Sequence, residues 1–380
     1  MGHRVVIAGG GTGGHLYPGI ALARALQQTD MSIDITFIGT ERGLEAKVIP
    51  REGFRLKTIA AAGLLGKSGL GRLSAWAKLP LGAMQALGFL LRKRPGLVVG
   101  VGGYVSGPVG VAAKLLGIPV LLHEQNALPG ITNRLLGRFA DKIAVSFPQS
   151  ARFFPAGRVV ETGNIIREEF CRPSPVATAG RFTVLVLGGS QGAHSINIAM
   201  TAALEHLAGV KDRLYVIHQT GDRDFESIQQ QYREAGFRAD VQPFIHDMAT
   251  CYHAASLIIT RAGATTLAEI TACGKASVLI PFPHAAHNHQ EKNARVLDTA
   301  GAAEVILDHE ANGARFAEAI KNAMGDPIRL QQRAENSLRL GRPDATLKVR
   351  DLCLDLLGKP SGPEKNVPRG TETSGGLSCF

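Results

Sequence analysis

Val5–His15, VVIAGGGTGGH, and Val184–His194, VLVLGGSQGAH, open in the same way, with Gly9 over Gly188, Gly10 over Gly189, Gly13 over Gly192 and His15 over His194. Each starts with aliphatic residues that read as a buried parallel strand. Glycines follow, and these let a tight turn bring backbone N–H groups close to a ligand. After the first copy, Pro18 suits an opening helical turn, and Ile20, Leu22, Ala23 and Leu26 recur at helical spacing. A strand, a glycine turn and a helix N-terminus together suit an anion. Gly9, Gly11 and Gly14 also satisfy GxGxxG, which dinucleotide-binding folds share and which a turn needing only small residues meets as well. The repeat constrains more than either copy does. Two such openings, nearly half of 380 residues apart, predict two α/β domains of similar build rather than one long sheet.

A chain of this length exceeds one core, and 45% hydrophobic with 6% aromatic residues suits a soluble α/β protein. The five cysteines, Cys171, Cys251, Cys273, Cys353 and Cys379, are odd in number and lack CxxC spacing, so neither a zinc site nor a disulfide framework is indicated. The first strand begins without a charged segment and apolar stretch before it, which argues against a signal peptide. The weakly charged run Leu97–Leu122 is broken by GGY, SGP, GIP and Lys114, and reads as strand, loop, helix and strand rather than a membrane span.

The net charge of +10 is unevenly placed. Between Glu52 and Glu124 there is no acidic residue, while Arg55, Lys57, Lys67, Arg72, Lys78, Arg92, Lys93, Arg94 and Lys114 all fall there. Leu64, Leu65, Trp76 and Leu79 are interleaved with Lys67, Arg72 and Lys78. This is either a solvated face over an ordinary helix or an interfacial patch whose apolar side chains enter a membrane while cations meet anionic lipid. Trp76 is the only tryptophan and no nucleic-acid motif surrounds it, so no nucleic-acid partner is expected.

Further along the first half, Gly102–Pro108, GGYVSGP, reads as a loop opening a helix. Val120–Leu122 reads as a strand ending in His123, Glu124, Gln125 and Asn126, a polar cluster where open parallel sheets place ligands. Ile143–Val145 reads as the last strand of this half, and Pro173–Gly180 as an interdomain linker.

In the second half, Leu214–Gln219 and Val241–Phe244 read as strands, with a helix over Asp222–Ala235. Asp222 and Asp224 form a DxD pair that suits a helix cap better than a metal. Ser256–Thr260 reads as a strand, Arg261–Gly263 as a turn and Ala264–Cys273 as a helix whose first N–H groups, with Thr265 and Thr266, suit phosphate. Glu269 falls about six residues into that helix, roughly 9 Å along the axis, the span from a diphosphate to a ribose. The plainer reading is a surface glutamate on a capped helix. Pro283–Ala294 reads as a flexible loop in which His284, His287 and His289 lack carboxylates or thiols at ligand spacing, so no metal is assigned. The tail, 359–380, has a disordered composition.

GGGTGGH, GGYVSGP, HEQN, GN with Arg167, GGSQGA, RAGATTLAE and HQxxNA of His289–Ala294 occur in an order that closely resembles the MurG family of peptidoglycan glycosyltransferases. That resemblance runs from about Val5 to Leu357. It implies a GT-B fold, with two Rossmann-like α/β domains facing across a cleft: 1–164 toward a lipid acceptor and the membrane, 165–343 toward the UDP-sugar, and a helix at 344–357 crossing back. It implies inverting transfer of N-acetylglucosamine (GlcNAc) from UDP-GlcNAc to the C4 hydroxyl of lipid I, with no essential cofactor. The place would be the cytoplasmic face of the inner membrane, with cell-wall or division proteins as further partners.

By the same resemblance, Thr12, Gly13 and Gly14 line the junction of donor and acceptor. Asn126 and Gln290 meet the GlcNAc, Ile245 the uracil and Glu269 the ribose. Arg167, Ser190, Gln191, Ala264, Thr265, Thr266, Leu267 and Ala268 complete the donor site, while Gly103, Tyr104, Ser106 and His123 face the acceptor. Inversion needs a base opposite the leaving UDP, and His15, which titrates near neutral pH, is the first candidate and Glu124 the second. Other classes remain open. Glu41, after the strand Ile33–Ile38, would serve a nicotinamide oxidoreductase, a UDP-GlcNAc epimerase would share fold and donor, and a membrane-bound scaffold would turn over nothing.

Overall fold

The computed structural model describes residues 3–11, 13–41, 43–61, 70–171, 180–189 and 191–359, with the backbone alone over 70–79. Seven parallel strands form the first sheet: β1 (Arg4–Ala8), β2 (Asp34–Gly39), β3 (Arg55–Thr58), β4 (Leu97–Gly100), β5 (Val120–Glu124), β6 (Lys142–Val145) and β7 (Val159–Glu161). They lie in the order β3-β2-β1-β4-β5-β6-β7. The second sheet has six: β8 (Phe182–Leu187), β9 (Leu214–Gln219), β10 (Ala239–Gln242), β11 (Leu257–Thr260), β12 (Ser277–Leu279) and β13 (Ala303–Val305), in the order β10-β9-β8-β11-β12-β13. This is the two-domain, Rossmann-like α/β arrangement.

In both sheets the winding reverses beside the first strand. Ala8 pairs with Gly100 and Leu187 with Thr260 at those reversals. Ligand crevices open at the carboxyl ends of the strands at such points, here where residues 9–14, 101–105, 188–193 and 261–263 emerge.

Alternation along β1 sends Val5 and Ile7 to one face and Val6 and Ala8 to the other. The first pair packs on Leu22 and Leu26 of the helix Gly13–Thr29 and on Val349, Cys353 and Leu354 of the helix Ala345–Leu356. The second packs on Ala86 and Leu90 of the helix Leu70–Lys93 and on Val109 and Ala112 of the helix Ser106–Leu115. The C-terminal helix is thus part of the N-terminal core, and Leu354→Ala would cost on the order of 2–5 kcal/mol. The chain leaves the first core at Ile165 and enters the second at Ile166. Thr346 meets it there: its Oγ1 accepts from Ile166 N at 3.1 Å and donates to Ile166 O at 2.7 Å.

Three local expectations are corrected. β7 follows Ile143–Val145, so that strand is not the last; three residues with no fully buried member leave no periodicity to find. The second-half helix starts at Phe225 rather than Asp222, and Asp224, though at its N-cap position, makes no capping hydrogen bond. The histidine-rich segment is a flexible loop only in part: Ala286–Asn288 is a 3-10 turn, and His289 opens the helix His289–Thr299.

Candidate functional site

The two glycine turns share a sequence pattern and differ in what fills them. In the first, Gly11 donates its backbone N–H to Glu45 Oε2 at 3.0 Å, and Glu45 Oε1 accepts from Thr40 N at 2.9 Å and Thr40 Oγ1 at 2.8 Å. Glu45 is 1% exposed. Burial raises its carboxyl, but the hydrogen bonds from Gly11, from its own N–H and from Thr40 outweigh that and hold it below the ordinary value. A protein carboxylate therefore already takes the N–H that a pyrophosphate would need. Gly103 closes this turn from the other side: at φ +81°, an added Cβ would come within 2.6 Å of Gly10 O.

In the second turn, Gly192 sits at φ +75° hard against Thr220 O, with no room for a Cβ. Gln219, 2% exposed, donates from Nε2 to Gly189 O at 2.8 Å and accepts at Oε1 from Ile245 N at 2.8 Å. It ties the turn to the Ile245 loop. The helix Ala264–Ala272 starts nearby with no side-chain cap on its first N–H groups. Thr265, Thr266 and Ala268 are partly exposed there, while Ala264 and Leu267 are buried and can offer only backbone to a ligand.

Glu269 is a buried residue, not a surface one. Its Oε2 accepts from Tyr252 Oη at 3.4 Å, and Arg167 Nη2 stands 3.8 Å from Oε1. Burial pushes the carboxyl up to about 7, against the pull of Arg167 and Tyr252. Arg167 is braced over Phe170 and Tyr17, with Cζ 4.7 and 5.9 Å from the ring centroids.

His15 lies in the first turn of its helix with Nδ1 enclosed and unpartnered; a Cβ on Gly102 would come within 2.6 Å of it. Burial holds its pKa below the ordinary value, opposed by Gln125 and Val101 and helped by the His289 imidazole from the other domain. The imidazole is neutral at neutral pH and able to take a proton.

Glu124 is placed otherwise. Its Oε1 accepts from Asn126 N at 2.9 Å and Asn126 Nδ2 at 3.3 Å, and its Oε2 accepts from Gly130 N at 3.2 Å and Asn133 Nδ2 at 3.0 Å. With four donors and 2% exposure the carboxylate holds the 124–130 loop, and burial raises its pKa against those hydrogen bonds, so it stays the second candidate base. Two residues expected to face the acceptor are likewise held within the fold. Ser106, 1% exposed, donates to Ala8 O at 2.8 Å and Gly102 O at 2.9 Å. His123 is fully buried beside Gln125 Nε2 at 3.2 Å, and burial takes its pKa down to about 3. Gly103 and half-buried Tyr104 stay at the crevice, Tyr104 against Gly11.

The halves touch at the crevice. Thr265 Oγ1 donates to Gly14 O at 3.1 Å, next to Gly13. Asn293 connects Ala127 and Asn126 to Ala262. Gln290 Oε1 accepts from Ala262 N at 3.2 Å and Phe282 N at 3.0 Å, so its carbonyl holds two loops. Gln191 is exposed beside Gly192. Thr12, Ser190, Leu64, Leu65 and Lys67 lie outside the described residues, as do the side chains of Arg72, Trp76, Lys78 and Leu79 and most of the 359–380 tail.

Glu45, Gln219, Asn293 and Arg261 were not legible as site residues. Arg261 Nη1 contacts Asp308 Oδ1 at 2.5 Å, Ile280 O at 3.2 Å and Pro281 O at 3.3 Å, and its Nη2 donates to Ser195 Oγ at 2.9 Å. One guanidinium thus joins the start of helix 194–207, after β8, to the segments that follow β11, β12 and β13. A charged residue inside the turn RAG was the available signal. Among the described residues no three His, Cys, Asp or Glu side chains gather as a metal site, and no helix is long and apolar enough to cross a membrane.

The glycosyltransferase family 28 N-terminal domain model matches residues 5–145, and its C-terminal domain model matches 183–349. A protein of Myxococcus xanthus, named UDP-N-acetylglucosamine--N-acetylmuramyl-(pentapeptide) pyrophosphoryl-undecaprenol N-acetylglucosamine transferase, is 46% identical over 96% of this chain and 99% of its own. A Geobacter sulfurreducens protein of the same name is 46% identical over 92% of this chain and 97% of its own. Among solved structures, Acinetobacter baumannii MurG superposes with a TM-score of 0.75 at 32% identity, over 93% of this chain and 99% of that one. A Staphylococcus aureus MnaA–UDP structure, TM-score 0.66 at 16% identity, shares the fold.

Proposed function

The chain belongs to glycosyltransferase family 28 and to its MurG members, and from that premise we propose that it transfers GlcNAc from UDP-GlcNAc to the C4 hydroxyl of lipid I with inversion, forming lipid II. One observation carries the assignment of halves. The first glycine turn is filled by Glu45, whereas the start of helix 264–272 carries no side-chain cap and leaves its first N–H groups for an anion, with Glu269 farther along the same helix. The donor therefore binds the second domain.

UDP lies with its diphosphate at Ala264–Thr266 and Gly188–Gln191, its ribose at Glu269 and its uracil at Ile245, where Gln219 sets the loop. Arg167 and the helix N-terminus take up the charge that develops as the C1–oxygen bond to the diphosphate breaks. His15 accepts the proton of the attacking C4 hydroxyl, so the acceptor oxygen bonds to C1 as UDP departs from the opposite face. Thr12, Gly13 and Gly14 form the floor between the two substrates, and Asn126 and Gln290 meet the sugar. The oxidoreductase reading loses its support at Gly11, because a dinucleotide would bring pyrophosphate against the buried Glu45 carboxylate.

The membrane reading rests on the acid-free segment between Glu52 and Glu124. In its described part, Leu81, Met84 and Leu91 of helix 70–93 and Leu115 of the neighbouring helix 106–115 are exposed, Met84 by 63% and Leu115 by 75%. This face rests peripherally on an anionic bilayer, bringing the crevice to a lipid-linked acceptor. The nucleotide assignment is tested by thermal shift. UDP and UDP-GlcNAc raise Tm and NAD leaves it unchanged; stabilisation by NAD alone would reverse the assignment.

A further inference from the structure

Asn293 has no exposed surface, and its whole amide is spent between the two domains. Its Oδ1 accepts from Ala127 N at 2.9 Å, while Nδ2 donates to Asn126 Oδ1 at 3.2 Å and Ala262 O at 3.4 Å. Three residues earlier, Gln290 Oε1 accepts from Ala262 N at 3.2 Å. Positions i and i+3 share a helix face, so one face of helix 289–299 grips the Ala262 peptide by both its C=O and its N–H, just before helix 264–272. Asn126 is held from the other side, its Nδ2 donating to Glu124 Oε1 at 3.3 Å.

An unbroken line therefore runs from β5 through Glu124, Asn126 and Asn293 to the turn that opens helix 264–272. With Glu124 accepting at one end of the Asn126 amide and Asn293 donating at the other, that amide has one orientation only. Turning it over would set its oxygen against the Glu124 carboxylate and its NH2 against the Asn293 NH2.

We propose that Asn293 is a positioning residue for transfer: it sets the Asn126 amide against the diphosphate helix and so fixes how the sugar is presented to the acceptor. The inference rests on the assignment of Asn126 to GlcNAc. Asn293→Asp keeps the acceptor for Ala127 N, loses both donations and places a carboxylate oxygen beside Asn126 Oδ1 and Ala262 O.

The test compares Asn293→Asp, Asn126→Ala and the double variant in the full-length protein. Turnover of UDP-GlcNAc on a lipid I analogue is measured beside calorimetric affinity for UDP, which has no sugar to present. Asn293→Asp is expected to lower kcat about tenfold while UDP affinity stays within about twofold of wild type, and the double variant to be no slower than Asn126→Ala. Effects that multiply in the double variant overturn the inference alone, and so does a loss of UDP affinity as large as the loss of turnover. Full activity in Asn126→Ala removes the sugar assignment, and the inference with it. Should Asn293→Asp lose a cooperative thermal transition, Asn293→Ala, which adds no charge, takes its place in the same cycle.

Discussion

Glu45 Oε2 accepts the backbone N–H of Gly11 at 3.0 Å, which places a buried anion in the first of two glycine turns of matching sequence. Removing it leaves the donors of Gly11 and Thr40 unsatisfied, at about 1–3 kcal/mol each. Glu45→Ala should lower Tm by several degrees and depress kcat through the adjoining Gly13, Gly14 and His15, while UDP affinity stays within about twofold. An equal loss of UDP affinity would mean that the first turn also serves the nucleotide.

In the proposed donor site Glu269 should make nucleotide binding depend on pH. Its carboxyl is raised to about 7 by burial, against Arg167 and Tyr252, and only the ionised form would accept both ribose hydroxyls. UDP affinity should therefore rise between about pH 6 and pH 8, and Glu269→Gln should flatten that dependence. The effect on stability has the opposite sign. A folded pKa above the unfolded one gives stability that is complete below the ordinary carboxyl value of 4.5 and is lost as pH rises through about 7. Titration calorimetry across that range checks the first statement, and Tm against pH for wild type and Glu269→Gln the second.

His15 is held below its ordinary pKa, so the acidic limb of kcat should fall below about pH 6.5. His15→Ala should abolish that limb and lower kcat by about 100-fold or more. Glu124→Gln should keep the limb, because the four donors on the Glu124 carboxylate hold the 124–130 loop. If the limb survives in His15→Ala and vanishes in Glu124→Gln, the base is Glu124.

Lys67, Arg72 and Lys78, changed together to Glu, should release the protein from anionic vesicles, since each cation at such a surface contributes on the order of 1 kcal/mol. Turnover of a short-chain, water-soluble acceptor should persist. Vesicle binding indifferent to this reversal and to raised salt would return the segment to a solvated helix.

The strand, glycine turn and helix of Val5–His15 and Val184–His194 were readable because a buried parallel strand is a continuous aliphatic run and only glycine allows the turn that follows. Pattern matching could not tell the two turns apart. What fills the first turn is Glu45, a residue of the next crossover, whose carboxylate reaches Gly11 only after folding. The place of Glu269 along its helix was legible from spacing, yet its burial under Tyr252 was not, since Tyr252 comes from another helix. Ser106 and Glu124 look like free polar groups in sequence, and folding gives them backbone and amide partners. β7 escaped because two half-buried residues and an exposed one carry no period.

In the proposed reaction a donor half and an acceptor half complete one transfer between them. Release of UDP from UDP-GlcNAc is to be followed with and without a lipid I analogue, together with the linkage of the product. Rapid release only when the analogue is present, with GlcNAc joined β-1,4 to its MurNAc, is the predicted result. Release at the same rate without acceptor, yielding free sugar, would contradict it.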